Sequence, residues 1–165
     1  MSLPLAVADT SVLISLHHLE LLTPLSLLYA QILVPSPVRL EFLRRNDQQS
    51  REFALITLTQ KGLFSPCDDY DSIEVDLYKS YKMEGAEAEA LSQTKMRKAD
   101  VLLIDEKIGR KIAVKERRPV KGTASILAEF HRLDVANFHR SIARLRSETT
   151  FRIHQDIVDH LAKDL

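Results

Sequence analysis

Four acidic residues, far apart in the chain, stand in places that invite a chemical reading: Asp9, Glu41, Glu87 and Asp105. Asp9 directly follows the apolar run Leu5-Ala6-Val7-Ala8, and Asp105 directly follows Val101-Leu102-Leu103-Ile104. If both runs are strands of one parallel sheet, both carboxylates face the crevice beyond the carboxyl ends of the strands, where such sheets bind ligands. An acid in that place can also simply cap the next helix, and for either residue alone that is the plainer reading. The pair says more, because Thr10 and Ser11 are available to cap the first helix and leave Asp9 without a structural task. Glu41 falls about one turn into a helix, on the face of Val38 rather than that of Arg44. In the stretch from Glu84 to Lys95, Leu91 is the only large apolar side chain, so its face turns inward, and Glu87 lies one turn earlier on it. Glu89 is rotated by about 200° from Glu87 on an ideal helix and points elsewhere. Glu84 and Glu89 read as solvated or supporting charges.

Four carboxylates in one cleft repel and raise one another's pKa values unless a cation compensates. An all-oxygen ligand set suits hard ions, so Mg²⁺ or Mn²⁺ is expected rather than Zn²⁺. Such a centre keeps metal-bound water and binds phosphate oxygens, which is what phosphodiester hydrolysis requires. No catalytic histidine is needed, and the six histidines show no HxxxH or Cys/His ligand spacing. A receiver or phosphatase domain would also carry acids at strand ends. The sequence lacks an adjacent Asp pair after the first strand and a Gly-rich phosphate loop, which argues against both. A binding module whose acidic pocket holds metal without turnover is the alternative from outside the enzymes.

The elements that must position these residues alternate. Strands are predicted over 5–8, 31–34 and 101–104, with a short extended piece near Pro119-Val120. The first helix follows Ser11 with Val12, Leu13, Leu16, Leu19 and Leu22 at helical spacing. Ser36-Pro37 supplies an N-cap and a proline suited to the first position of the next helix. Further helices are predicted over 48–60, 72–82, 86–96, 107–115 and from Thr123 to about His131, with a loop through Gly62, Pro66 and the acidic stretch 68–71. The segment 137–165 reads as two helices, the second carrying Ile153, Ile157, Leu161 and Leu165 on one stripe. Strand–helix alternation of this kind indicates an α/β domain with a mainly parallel sheet. The expected organisation is a catalytic domain over 1–135, with a C-terminal helical extension over 136–165 packed on it.

Composition narrows the setting. With 165 residues and 45% apolar content, the chain can bury one full core. Its 23 basic and 23 acidic side chains cancel, so attraction to a polyanion must be local. A local excess exists: from Lys95 to Lys121 there are ten basic residues against four acids, flanking Asp105. This reads equally as a solvated helix face. The single cysteine, Cys67, excludes an intramolecular disulfide. No apolar run approaches the roughly 20 residues of a membrane span, and no leading segment has the make-up of a secretory signal. No membrane association and a cytoplasmic location are the expectations.

The combination Ala8-Asp9-Thr10-Ser11, Pro35-Ser36-Pro37-Val38 leading to Glu41, Gly85-Ala86-Glu87-Ala88-Glu89-Ala90-Leu91, and Leu103-Ile104-Asp105-Glu106 before Gly109-Arg110 resembles PIN-domain nucleases. It is similar in particular to a toxin-like or uncharacterised PIN subgroup with a Gly-Glu-x-Glu-Ala segment, a Gly-Thr near the last core helix and a Phe-Arg-Ile segment in the tail. Here these correspond to 87–90, Gly122-Thr123 and Phe151-Arg152-Ile153. The resemblance covers nearly the whole chain. It implies a three-layer α/β/α sandwich with a central parallel sheet and extra C-terminal helices, and Mg²⁺- or Mn²⁺-dependent endonucleolytic cleavage of single-stranded RNA. It further implies Asp9, Glu41, Glu87 and Asp105 as catalytic, metal-holding acids, and auxiliary hydroxyls at Thr10, Ser11 or Thr123. The family's glycine before the third acid corresponds to Ala86, with Gly85 one place earlier, which leaves Glu89 as an alternative to Glu87. Many PIN proteins are toxins of toxin–antitoxin pairs, so a homodimer and a small antitoxin protein are the partners this likeness implies.

Overall fold

The computed structural model describes residues 2–44 and 46–165. Five short parallel strands form its sheet: β1 (Leu5–Ala8), β2 (Gln31–Pro35), β3 (Phe64–Cys67), β4 (Val101–Leu103) and β5 (Val120–Lys121), in the spatial order β3-β2-β1-β4-β5. The chain therefore lays strands outward from β1 on one side, then returns to place β4 against β1 on the other. The order reverses between β1 and β4, and in sheets of this type the crevice at that reversal is the ligand site.

Side chains alternate across the sheet, as the two-residue strand period demands. Ala6, Ala8, Ile32, Val34, Val101 and Leu103 enter one core. Val7, Leu33, Leu102 and Ile104 enter the other. Because both faces are covered, the strands read as continuous apolar runs. The second core is closed by α4 (Ser72–Ser80), α5 (Gly85–Met96) and α6 (Lys107–Lys115), through Val75, Tyr78, Ala88, Leu91 and Ala113. The first is closed by α1 (Thr10–His18), α2 (Ser36–Leu43), α3 (Gln48–Gln60) and α7 (Thr123–Arg132). The helices α8 (Phe138–Glu148) and α9 (Gln155–Ala162) add Phe138, Ile142, Leu145 and Val158 to that same core. The result is a three-layer α/β/α sandwich.

Four local expectations are corrected. Residues 64–67 form the outer strand β3 rather than a loop; Pro66, which cannot donate to a ladder, is tolerated at the sheet's edge. The first helix stops at His18, Glu20 takes a left-handed φ of 60°, and a 3-10 turn spans Thr23–Leu27, although Leu19 and Leu22 remain buried. Ser36 is the first residue of α2 and not its cap; its N–H donates to Asp68 Oδ1 at 2.9 Å. Of the stripe expected along the last helix, Ile153, Leu161 and Leu165 pack against the first core, but Ile157 is 48% exposed and the buried residue of α9 is Val158. No helix among the described residues is long and apolar enough to cross a membrane.

Candidate active site

Asp9 is placed by the sheet itself. Its N–H donates to the Leu103 carbonyl at 2.9 Å, carrying the β1–β4 ladder one residue past Ala8 and fixing the backbone at the strand-order reversal. It occupies the N-cap position of α1 in an extended conformation, yet its side chain makes no capping bond. The Ser11 hydroxyl reaches the carboxylate at 3.2 Å to Oδ2. The residue is 3% exposed, and burial pushes its pKa from 3.8 up to about 6; the Thr10 amide and Ser11 hydroxyl oppose the rise, and neighbouring Glu41 adds to it. Glu41, on α2 just beyond β2, is held from the same corner, its Oε2 accepting from Thr10 Oγ1 at 2.8 Å.

Glu87 enters from α5, a helix buried on almost every side where it crosses β1, β2 and β4. A helix so enclosed is built from small residues, here Gly85, Ala86, Ala88 and Ala90, and an acid in its first turn is conspicuous. Glu87 is 8% exposed, and burial, then the charges of Asp9, Glu106 and Glu84, push its pKa from 4.5 up to about 8. Gly109 of α6 lets this corner close: a Cβ there would lie 2.5 Å from Ile104 Cδ1 and 3.7 Å from Glu87 Oε2. Glu89 lies elsewhere, beside Lys79 and Asp68 and only half-buried. Of the two acids on α5, Glu87 is the one in electrostatic reach of Asp9.

Asp105 approaches from the other side of the reversal. Its Oδ1 accepts the Thr123 N–H at 2.7 Å and its Oδ2 the Thr123 hydroxyl at 2.5 Å. Burial raises its pKa, while Thr123 and the nearby Arg110 guanidinium hold it down. Arg110 is itself tied to the strand, Nη1 donating to the Ile104 carbonyl at 2.9 Å. Gly122 permits the packing: a Cβ there would sit 2.7 Å from Asp105 Oδ1 and 2.9 Å from Arg110 Nη1.

Asp9 thus links the group, feeling the charge of Glu41 and acting on Glu87, with Thr10 and Ser11 bonded to Glu41 and Asp9, and Asp105 stands at the adjoining strand end with Thr123. As the side chains stand, no group of three or more His, Cys, Asp or Glu among the described residues is close enough to hold a metal ion. The donor set nevertheless suits a hard cation. Asp9 and Glu87 are carboxylates removed from water, the charge of Asp9 raises the pKa of Glu87 as that of Glu41 raises the pKa of Asp9, and neither Asp9 nor Glu87 makes an ion pair among the described residues.

Two residues of the Asp105 motif have roles that the sequence does not reveal. Glu106 caps α6, its Oε2 accepting the Gly109 N–H at 2.9 Å, and adds negative charge beside Glu87. Arg110 is the cation that acts on Asp105. The Glu-x-x-Gly spacing at the start of α6 signals the cap but not its neighbour across the cleft.

No curated protein matches the chain. A family model described as a PIN domain matches residues 5–165. PIN domains are generally nucleases, and they typically use divalent metal ions. A parallel sheet reversing its strand order between two acid-terminated strands, and a match that spans all but the first residues, lead to one assignment: this chain belongs to the PIN-domain family.

Proposed function

We propose that this PIN-domain protein is an endoribonuclease that hydrolyses phosphodiester bonds of single-stranded RNA, with Mg²⁺ or Mn²⁺ held by Asp9, Glu41, Glu87 and Asp105. The observation that carries this reading is the pairing of two buried carboxylates, Asp9 and Glu87, at the strand-order reversal, with no ion pair among the described residues to neutralise them. A fold does not bury such a pair for stability, since leaving a charge enclosed and unpaired is costly.

A bound divalent ion supplies an activated water and charge neutralisation at the phosphate. The chain's own contribution is positioning. Thr10 orients Glu41, and Ser11 steadies Asp9. Thr123 grips both oxygens of Asp105, so that carboxylate keeps its place as the others adjust. The choice of RNA over DNA rests on the family likeness, and the preference for Mg²⁺ or Mn²⁺ over Zn²⁺ rests on the all-oxygen donor set.

Cleavage of end-labelled single-stranded RNA in Mn²⁺ tests the proposal, comparing the natural protein with Asp9→Asn and Asp105→Asn. Each substitution is expected to lower the rate by about a hundredfold or more, the scale of removing a preorganised electrostatic group. Equal rates in all three proteins reject the site. No cleavage of varied RNAs by the natural protein in either metal favours an inert metal-holding module.

A further inference from the structure

A cleft of about 760 Å³ opens beside Asp105, within the roughly 300–1,000 Å³ that ligand-sized clefts span. One wall is the outer face of α6, where Lys107, Arg110, Lys111 and Val114 recur at the i, i+3, i+4, i+7 positions of a single helical stripe. The opposite wall comes from far along the chain: Phe151, Arg152, Ile153 and His154 of the extended link between α8 and α9, and Ile157 of α9. Gly122, Ala124 and Ser125 also line the cleft.

The far wall is built and held. Arg146 Nη2 donates to the Ile153 carbonyl at 3.0 Å, the Phe151 N–H donates to Thr149 Oγ1 at 3.0 Å, and Phe151 and Ile153 pack against the first core. The cleft's charge is one-sided. Four cations, Lys107, Arg110, Lys111 and Arg152, line it against the single acid Asp105. Lys107 and Lys111 are exposed and make no ion pair among the described residues. The Arg152 guanidinium donates to backbone carbonyls, of Phe151 at 2.9 Å and Thr149 at 3.4 Å. Between the cations, Phe151, Ile153, Ile157 and Val114 offer apolar surface, the last two 48% and 61% exposed.

We propose that this cleft is the binding groove for the RNA strand on one side of the scissile phosphate, with the 151–157 segment as its outer wall. This rests on the nuclease reading given above. Unopposed cations meet the phosphates, and the apolar strip, Phe151 in particular, takes sugar and base faces in a sequence-tolerant way. An acidic protein segment would satisfy the charge, but it gives no reason for the groove to abut Asp105. A strand whose phosphodiester must reach that carboxylate does.

The test is fluorescence anisotropy of a short labelled single-stranded RNA titrated with the full chain in EDTA, where metal-dependent cleavage is suppressed, at several salt concentrations. Arg152→Glu and Lys111→Glu are compared with Lys61→Glu, an exposed reversal at the end of α3. Both groove reversals are expected to weaken binding by about tenfold or more, and to flatten the salt dependence by about 0.7 in log–log slope for each phosphate that is no longer neutralised. Lys61→Glu should leave binding near that of the natural protein, and melting temperatures confirm folding of all three. Groove reversals that bind as Lys61→Glu does overturn the proposal, as does failure of the natural protein to bind RNA or its preference for a poly-glutamate peptide. Cleavage in Mn²⁺ separates the two readings. Weakened binding in the reversals without any cleavage keeps the groove and removes the nuclease; cleavage unaffected by the reversals does the opposite.

Discussion

The two sides of the strand-order reversal hold acids in opposite ways. On the β4 side, Asp105 is well supplied with donors: Thr123 donates to both carboxylate oxygens, and the Arg110 guanidinium stands close by. On the β1 side, Asp9 has the Ser11 hydroxyl at 3.2 Å and the amides of Thr10 and Ser11 but faces Glu41 and, among the described residues, no cation, while Glu87 faces Asp9, Glu106 and Glu84. Both acids end neighbouring strands, so topology alone does not distinguish them. The difference teaches a division of labour. One side is a fixed anchor whose geometry is already set, and the other is a place where negative charge builds up uncompensated as the acids ionise, which a hard cation would relieve.

The anchor can be broken without touching an acid. In Gly122→Ala the new methyl would lie 2.7 Å from Asp105 Oδ1 and 2.9 Å from Arg110 Nη1, so the carboxylate must move. A shift near 1 Å at a catalytic group costs about a hundredfold in rate, and RNA cleavage by this variant should fall on that scale. Thr123→Val is the milder form. It removes the hydroxyl donor but keeps the backbone one, and losing one hydrogen bond to a charged group costs about 1.5–3 kcal/mol, so a loss of about ten- to a hundredfold in the same assay is expected.

The charge-storing side is read by pH. Asp9 and Glu87 have folded pKa values of about 6 and about 8, above ordinary values of 3.8 and 4.5. Over those intervals the folded state binds more protons than the unfolded one, so stability falls as pH rises. Their contribution is complete below about pH 4 and is lost as pH climbs through 6 and 8. Melting curves of metal-free protein should therefore slope downward across that range, and Glu87→Gln should flatten the upper part. A melting temperature that rises through the window would contradict the stored-charge picture.

Much of this arrangement is legible in the sequence, for physical reasons. Strands β1 and β4 are buried on both faces, so they read as unbroken apolar runs, and the acids that end them stand out. Glu87 is visible because α5 carries only small neighbours and one leucine, which leaves an acid on the inward face unexplained. The strand β3 is hidden because Phe-Ser-Pro-Cys has neither an apolar run nor alternation, and it survives only as the sheet's edge. Glu106 and Arg110 are hidden for another reason: each does a local task on α6, and their second neighbours, Glu87 and Asp105, are set by tertiary packing. The groove wall at 151–157 is likewise beyond sequence reading. Only the folding of α8 and α9 onto the first core brings that segment opposite the basic stripe of α6.

The central claim is that Asp9 and Glu87 together create a demand for a divalent cation. It is tested most directly by the melting temperature at pH 8 with and without excess Mn²⁺, in the natural protein and in Asp9→Asn, Glu87→Gln and Glu89→Gln. Saturation at about a hundred times Kd stabilises a fold by about 2.7 kcal/mol, so Mn²⁺ should raise the melting temperature of the natural protein and Glu89→Gln by several degrees. Asp9→Asn and Glu87→Gln should lose most of that rise. An equal Mn²⁺ response in all four proteins, or none in the natural one, would contradict the account.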